Sequence, residues 1–116
     1  MLVSVVIPTY NRLPILKKCL DSLENQILID EIHDYEIVIV DDGSTDGTID
    51  WLENNIKTFP HLRLFEQSHG GPAKGRNLGV DKSNGDLIVF IDSDLVVDKY
   101  FLGFHVNALI LSLIHI

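Results

Sequence analysis

Residues 87–97 read "LIVFIDSDLVV", an apolar run that ends in two carboxylates, Asp92 and Asp94, with one serine between them. Three chemistries fit that pattern. Carboxylates are the hard oxygen donors that suit Mg2+ or Mn2+, and magnesium takes one or two of them together with substrate phosphates. A turn beginning at the strand end aims both side chains into one crevice despite strand alternation. The same residues fit the hhhhDxDx(T/V) pattern of haloacid-dehalogenase-like phosphatases, with Asp92 as nucleophile and Asp94 as acid and base. In the third reading the aspartates only cap a turn after a buried strand. A bare DxD does not choose among them, because so short a pattern arises often by chance.

The elements that must carry this pair alternate between strand and helix. "VSVVIP" (Val3–Pro8) is a β-branched run of the kind that forms a parallel strand buried on both faces. Asn11 is placed to cap a helix whose apolar positions Leu13, Leu16, Leu20 and Leu23 step by three and four. "EIVIVDD" (Glu36–Asp42) is a second strand, followed by the turn residues "DDGSTDG" and a helix with Ile49, Leu52 and Ile56 on one face. "LRLFEQ" (Leu62–Gln67) is a third strand. After the loop "SHGGPAKGRN" a helix starts near Pro72, which suits a first turn. "DLIVFID" (Asp86–Asp92) is a fourth strand, and a last helix starts near Asp98. Repeated βα units with short connections predict an α/β fold, a Rossmann-like doubly wound parallel sheet. In such sheets ligands bind outside the carboxyl ends of the strands. Every polar cluster ("TYNR", "DDGSTDG", "SHGGPAKGRN" and "DSD") falls at such an end, which points to a polar, phosphorylated ligand.

Bulk composition narrows the field. The 116 residues make one domain at most, and 46% hydrophobic against 22% charged residues describes a globular chain. A formal charge of −8 argues against a nucleic-acid partner, which needs clustered Lys and Arg. Cys19 is the sole cysteine, so no internal disulfide forms, a reducing compartment is expected, and its leucine neighbours read as core. The opening residues show no basic, apolar, small-residue pattern, so a secretory signal is not expected, and no uncharged apolar run reaches the roughly 20 residues a membrane span requires.

Taken in order, "VSVVIPTYNR", "EIVIVDDGSTDGT", "GGPAKGRNLGV" and "GDLIVFIDSDLVV" resemble the N-terminal, nucleotide-sugar-binding part of family 2 glycosyltransferases of the GT-A fold, over Val3 to Phe104. The resemblance implies a nucleoside-diphosphate sugar donor, with a UDP-sugar first in order, and a divalent metal, Mg2+ or Mn2+. It implies that Tyr10 contacts the base, with Pro8 and Thr9 shaping the same wall, and that Asp42 accepts from a base N–H while Asp41 orients its loop. Gly43, Ser44 and Asp46 read as turn and cap residues. The spacing Gly70 to Gly75 invites a phosphate-loop reading that Arg76 and Asn77 break, since Lys and Ser/Thr belong there. The resemblance instead sets this segment beside sugar and diphosphate, favouring Arg76 and Asn77, with Lys74 a weaker candidate and His69 read first as an exposed loop residue. Asp92 takes a ribose or metal-linked role and Asp94 the direct metal contact.

The implied reaction is inverting transfer of a sugar to an acceptor hydroxyl, saccharide or lipid-linked, in cell-wall or polysaccharide biosynthesis. The parent enzyme is expected in the cytoplasm or at the cytoplasmic face of a membrane, with membrane association through parts outside this chain. The general base is expected beyond the fourth strand and its helix, so the chain reads as an incomplete GT-A domain over residues 1–110. The final "LSLIHI", Leu111 to Ile116, is what CTGTCTCTTATACACATC encodes, a string like a transposon end used in sequencing libraries. That segment is therefore expected to be foreign to the gene. The alternatives kept beside the glycosyltransferase are the phosphatase and a non-catalytic nucleotide-binding module.

Overall fold

A computed structural model describes residues 1–114 of the chain. The elements follow in the order β1 (Leu2–Thr9), α1 (Leu13–Glu24), β2 (Asp34–Asp41), α2 (Thr48–Asn54), β3 (Leu62–Glu66), α3 (Pro72–Lys82), β4 (Leu87–Phe90) and α4 (Phe101–Ile114). The strands form one parallel sheet in the order β3-β2-β1-β4. β1 and β2 are its centre and are buried almost throughout, as their β-branched runs predict.

The two faces follow from strand alternation and the handedness of the crossovers. Val3, Val5 and Ile7 of β1 pack with Leu16, Leu20 and Leu23 of α1, Leu52 of α2, and Leu102 and Val106 of α4. Val6 points the other way and joins Val38, Val40 and Leu78 of α3. The chain winds outward from β1 to β3 and then returns across the sheet to lay β4 on the far side of β1. A right-handed crossover in the reversed direction puts its helix on the opposite face. Hence α3 lies alone on one side, and the sheet is doubly wound as expected.

α3 carries no apolar stripe; it packs through glycines. A Cβ at Gly79 would stand 2.3 Å from Val6 Cγ1, and one at Gly75 would stand 3.1 Å from Pro8 Cβ. The helix backbone therefore rests directly on β1. Gly75, which the phosphate-loop spacing singled out, is a packing residue inside this helix.

Three local expectations are corrected. Asn11 does not cap α1: it adopts φ 51°, and Arg12 is the N-cap without a side-chain hydrogen bond. The N–H of Leu13 is taken instead by Asp46 Oδ2 at 3.0 Å, while Asn11 Oδ1 accepts from the N–H of Thr45 at 2.7 Å. A long-range partner has replaced the local cap. Ile56 lies beyond the end of α2 and is exposed, so only Leu52 anchors that helix fully. α4 starts at Phe101, three residues later than expected, because Asp98 first closes a turn by accepting from the N–H of Tyr100 at 2.9 Å.

The amino-terminal edge of the sheet is tied by a buried polar network. Ser4 Oγ donates to Glu36 Oε2 at 2.6 Å, Arg63 donates to Glu36 Oε1 at 3.0 Å, and the N–H groups of Asn84 and Gly85 donate to Glu36 Oε2 and Ser4 Oγ. Burial pushes the Glu36 pKa up, but these donors outweigh it and hold the carboxyl below its usual value. The network fixes where β4 begins. Among the described residues β4 itself pairs with β1 alone. Cys19 is fully buried in the main core, where desolvation, with a smaller push from Asp94, lifts its thiol to about 12. Residues 111–114 of the expected foreign tail continue α4, with Leu111 and Leu113 exposed; residues 115 and 116 of it lie outside the described residues.

Candidate functional site

The strand order reverses between β1 and β4, so the loops leaving these strands diverge and open a crevice. It measures about 510 Å³ and is lined by Pro8, Thr9, Tyr10 and Arg12 after β1, Asp42 after β2, His69, Gly71, Pro72 and Arg76 around the start of α3, and Asp92, Ser93 and Asp94 after β4. Of the residues singled out in the sequence, Pro8, Thr9, Tyr10, Asp42, Arg76, Asp92 and Asp94 meet here. Asn77 does not reach the lining and is exposed on α3, one helical step of about 100° beyond Arg76. Lys74 also lies off the lining, its Nζ 3.5 Å from the carbonyl oxygen of Ser68. Arg12 was missed. It stands in the quoted "TYNR", and its guanidinium lies 3.9 Å from Asp94 across the crevice.

Asp42 is the most tightly held group of the site. Its Oδ1 accepts from Gln67 Nε2 and from the N–H of Gly70, both at 2.8 Å, and its Oδ2 accepts from the N–H of Gly71 at 3.0 Å. His69 Nδ1 stands 2.8 Å from Oδ2 and 3.3 Å from the Asp42 carbonyl oxygen. Both neighbours are acceptors, so Nδ1 carries the ring proton. Burial pushes the Asp42 pKa up, but these donors and the His69 charge overcome it and bring the value down to about 2. Asp42 thus pins the loop Gln67–Gly71 to the end of β2. Asp41 behaves similarly on the other side, accepting from Ser44 N–H at 2.9 Å and Ser44 Oγ at 2.6 Å.

Asp92 and Asp94 contrast with both. Each is exposed, and neither carboxylate accepts a hydrogen bond from any described residue. The buried Ser93 between them turns the backbone so that both border the crevice. Among the described residues no group of three or more His, Cys, Asp or Glu side chains is placed to hold a metal on its own. Two free carboxylates nevertheless match what Mg2+ or Mn2+ takes from a protein when substrate phosphates and water fill the other positions. The donor set fits a metal brought with a phosphorylated ligand. Thr9 borders the same crevice, and its Oγ1 is buried with no hydrogen-bond partner among the described residues.

Comparison with known proteins accords with this geometry. The family model described as Glycosyl transferase family 2 matches residues 4–110. The chain is 42% identical over 96 residues to the poly(ribitol-phosphate) beta-glucosyltransferase of Bacillus spizizenii, a match over 81% of this chain and 15% of that protein. It superposes on S. aureus TarS residues 1–349 in complex with UDP-GlcNAc with a TM-score of 0.79 at 32% identity, over 92% of this chain and 30% of that one. It superposes also on the mannosyltransferase PcManGT of Pyrobaculum calidifontis, solved with GDP-Man and Mn2+, with a TM-score of 0.70 at 33% identity, over 79% of this chain and 27% of that one. The chain therefore spans less than a third of the length of each.

Proposed function

The chain belongs to glycosyl transferase family 2, and on that premise we propose that it is the donor-binding part of an inverting glycosyltransferase using a nucleoside-diphosphate sugar, a UDP-sugar first among them. Its fold is that of GT-A glycosyltransferases over part of their length. The observation that carries the proposal is the meeting of Tyr10, Asp42, Arg76, Asp92 and Asp94 around one crevice at the β1/β4 switch point.

Each residue then has a task. Tyr10 offers a ring face to the base, and Pro8 and Thr9 wall the same end. Asp42 accepts from the base edge. Arg76 projects from α3 toward the diphosphate, and its planar fork suits phosphate oxygens. Asp94, with Asp92, would hold the divalent ion. A bound Mg2+ or Mn2+ supplies neutralisation of the charge that grows on the diphosphate leaving group. Arg12, beside Asp94, adds a second cation on that side. The general base for the acceptor hydroxyl, saccharide or lipid-linked, is assigned to none of residues 1–114. We propose further that the parent enzyme works in the cytoplasm or at the cytoplasmic face of a membrane. Separately, no helix among the described residues is long and apolar enough to cross a membrane.

Calorimetric titration with UDP and GDP, with and without Mn2+, tests the reading. Binding is expected to strengthen with Mn2+ and to lose that dependence in Asp94→Asn. Equal binding with and without the ion would leave only a nucleotide-binding module. Absence of binding by a folded chain would remove the donor assignment altogether.

A further inference from the structure

His69 bridges the two residues assigned to the base. Its imidazole packs against the Tyr10 ring in a tilted arrangement, with ring centroids 4.4 Å apart and planes inclined by 30°, and its Nδ1 lies 2.8 Å from Asp42 Oδ2. All three line the same crevice. A nucleobase in that position would occupy the same space, with a ring face against Tyr10 and a ring nitrogen beside the Asp42 carboxylate. We infer that the His69 side chain is an internal competitor of the donor's nucleobase, filling the base slot in the empty protein and vacating it when nucleotide binds.

The surroundings allow this exchange. The His69 side chain is 62% exposed, whereas that of Asp42 is 6% exposed and stays fixed. The loop backbone remains tied to Asp42 through the N–H groups of Gly70 and Gly71 whether or not the imidazole is there. The ring can therefore leave by side-chain rotation alone, without unfastening the loop. Nor does Asp42 lose its other donors: the imidazole hydrogen-bonds the Asp42 carbonyl oxygen at 3.3 Å and only approaches Oδ2, so an incoming base N–H replaces a polar contact and not one of the bonds that hold the loop. The exchange is near balance in bonding terms, and its cost appears as a reduced apparent affinity, in proportion to the fraction of molecules with the slot open.

This inference rests on the donor reading above, and its test separates the two. UDP is titrated calorimetrically, in Mn2+, into the wild-type chain and into His69→Ala, each checked for folding by circular dichroism. Loss of the competitor is expected to tighten UDP binding by about 3- to 10-fold, the factor by which a mostly closed slot lowers apparent affinity. In parallel, the His69 ring protons are followed by NMR, and saturating UDP is expected to shift them as the ring leaves the face of Tyr10. Equal or weaker binding by His69→Ala, or ring signals unmoved by saturating UDP, overturns the inference while leaving the donor reading intact. Failure of both folded chains to bind UDP overturns the donor reading and the inference with it.

Discussion

Two aspartate pairs close two strands of one sheet, and they are in opposite states. Asp41 and Asp42, at the end of β2, are buried, and their oxygens are met by Ser44, Gln67, Gly70, Gly71 and His69. Asp92 and Asp94, after β4, are exposed and accept no hydrogen bond from the described residues. The first pair spends its charge on holding two loops in place. The second keeps its charge for something that arrives. Residue type alone does not say what a carboxylate does; the donors already in reach separate one that fixes loops while bordering the crevice, as Asp42 does, from a pair left open to what arrives.

The contrast is broken most severely at Asp42. Asp42→Ala leaves the Gly70 and Gly71 N–H groups and Gln67 without their charged acceptor, and a loss of about 2–3 kcal/mol in urea unfolding is expected, against less than about 0.5 kcal/mol for Asp94→Asn. Similar losses for the two would erase the distinction.

Acid sharpens it. The folded-state pKa of Asp42 is about 2, below its ordinary 3.8, so its contribution is fully present above the unfolded value and fades as pH falls through about 2. Urea midpoints taken at successive pH values from neutral down to about 2 should therefore fall more steeply for the wild type than for Asp42→Asn. Glu36, also depressed, contributes in the same direction and is retained in both proteins. Parallel slopes would mean that the loop donors do not favour the ionised Asp42.

On the other pair the expected readout is binding. Asp94→Asn should weaken Mn2+-dependent UDP binding about tenfold, which is about 1.4 kcal/mol, and leave metal-free binding unchanged. The smallest effect belongs to Arg12→Ala: the Arg12–Asp94 pair is 3.9 Å apart with both side chains about half exposed, so its removal should change stability by less than about 0.5 kcal/mol. A larger change would place Asp94 among the structural carboxylates after all.

Much of this arrangement is legible without coordinates. β-branched runs announce the strands because a strand buried on both faces tolerates little else, and polar loops at successive strand ends announce the crevice. The four matching blocks, more than the DxD, separate the glycosyltransferase from the phosphatase. What escapes the sequence is what depends on distant partners. The N–H of Leu13 finds Asp46, more than thirty residues away, so the local cap expected at Asn11 is not used. α3 has only Leu78 as an apolar contact and packs by glycine, so hydrophobic periodicity is silent about it. Asn77 follows Arg76 in the chain but is turned off the crevice by the helix they share. The saturation of Asp42 comes from backbone N–H groups, which no residue letter displays.

The solitary thiol in the core has a practical corollary. With Cys19 fully buried and its ionisation pushed to about 12, almost none of it is the reactive thiolate near neutral pH. A maleimide or iodoacetamide reagent applied to the folded protein therefore has no competing target, and a lone cysteine introduced at the exposed Lys74 position would take up a fluorophore at one known place. These 116 residues are thus a clean background for site-specific optical labelling beside the crevice.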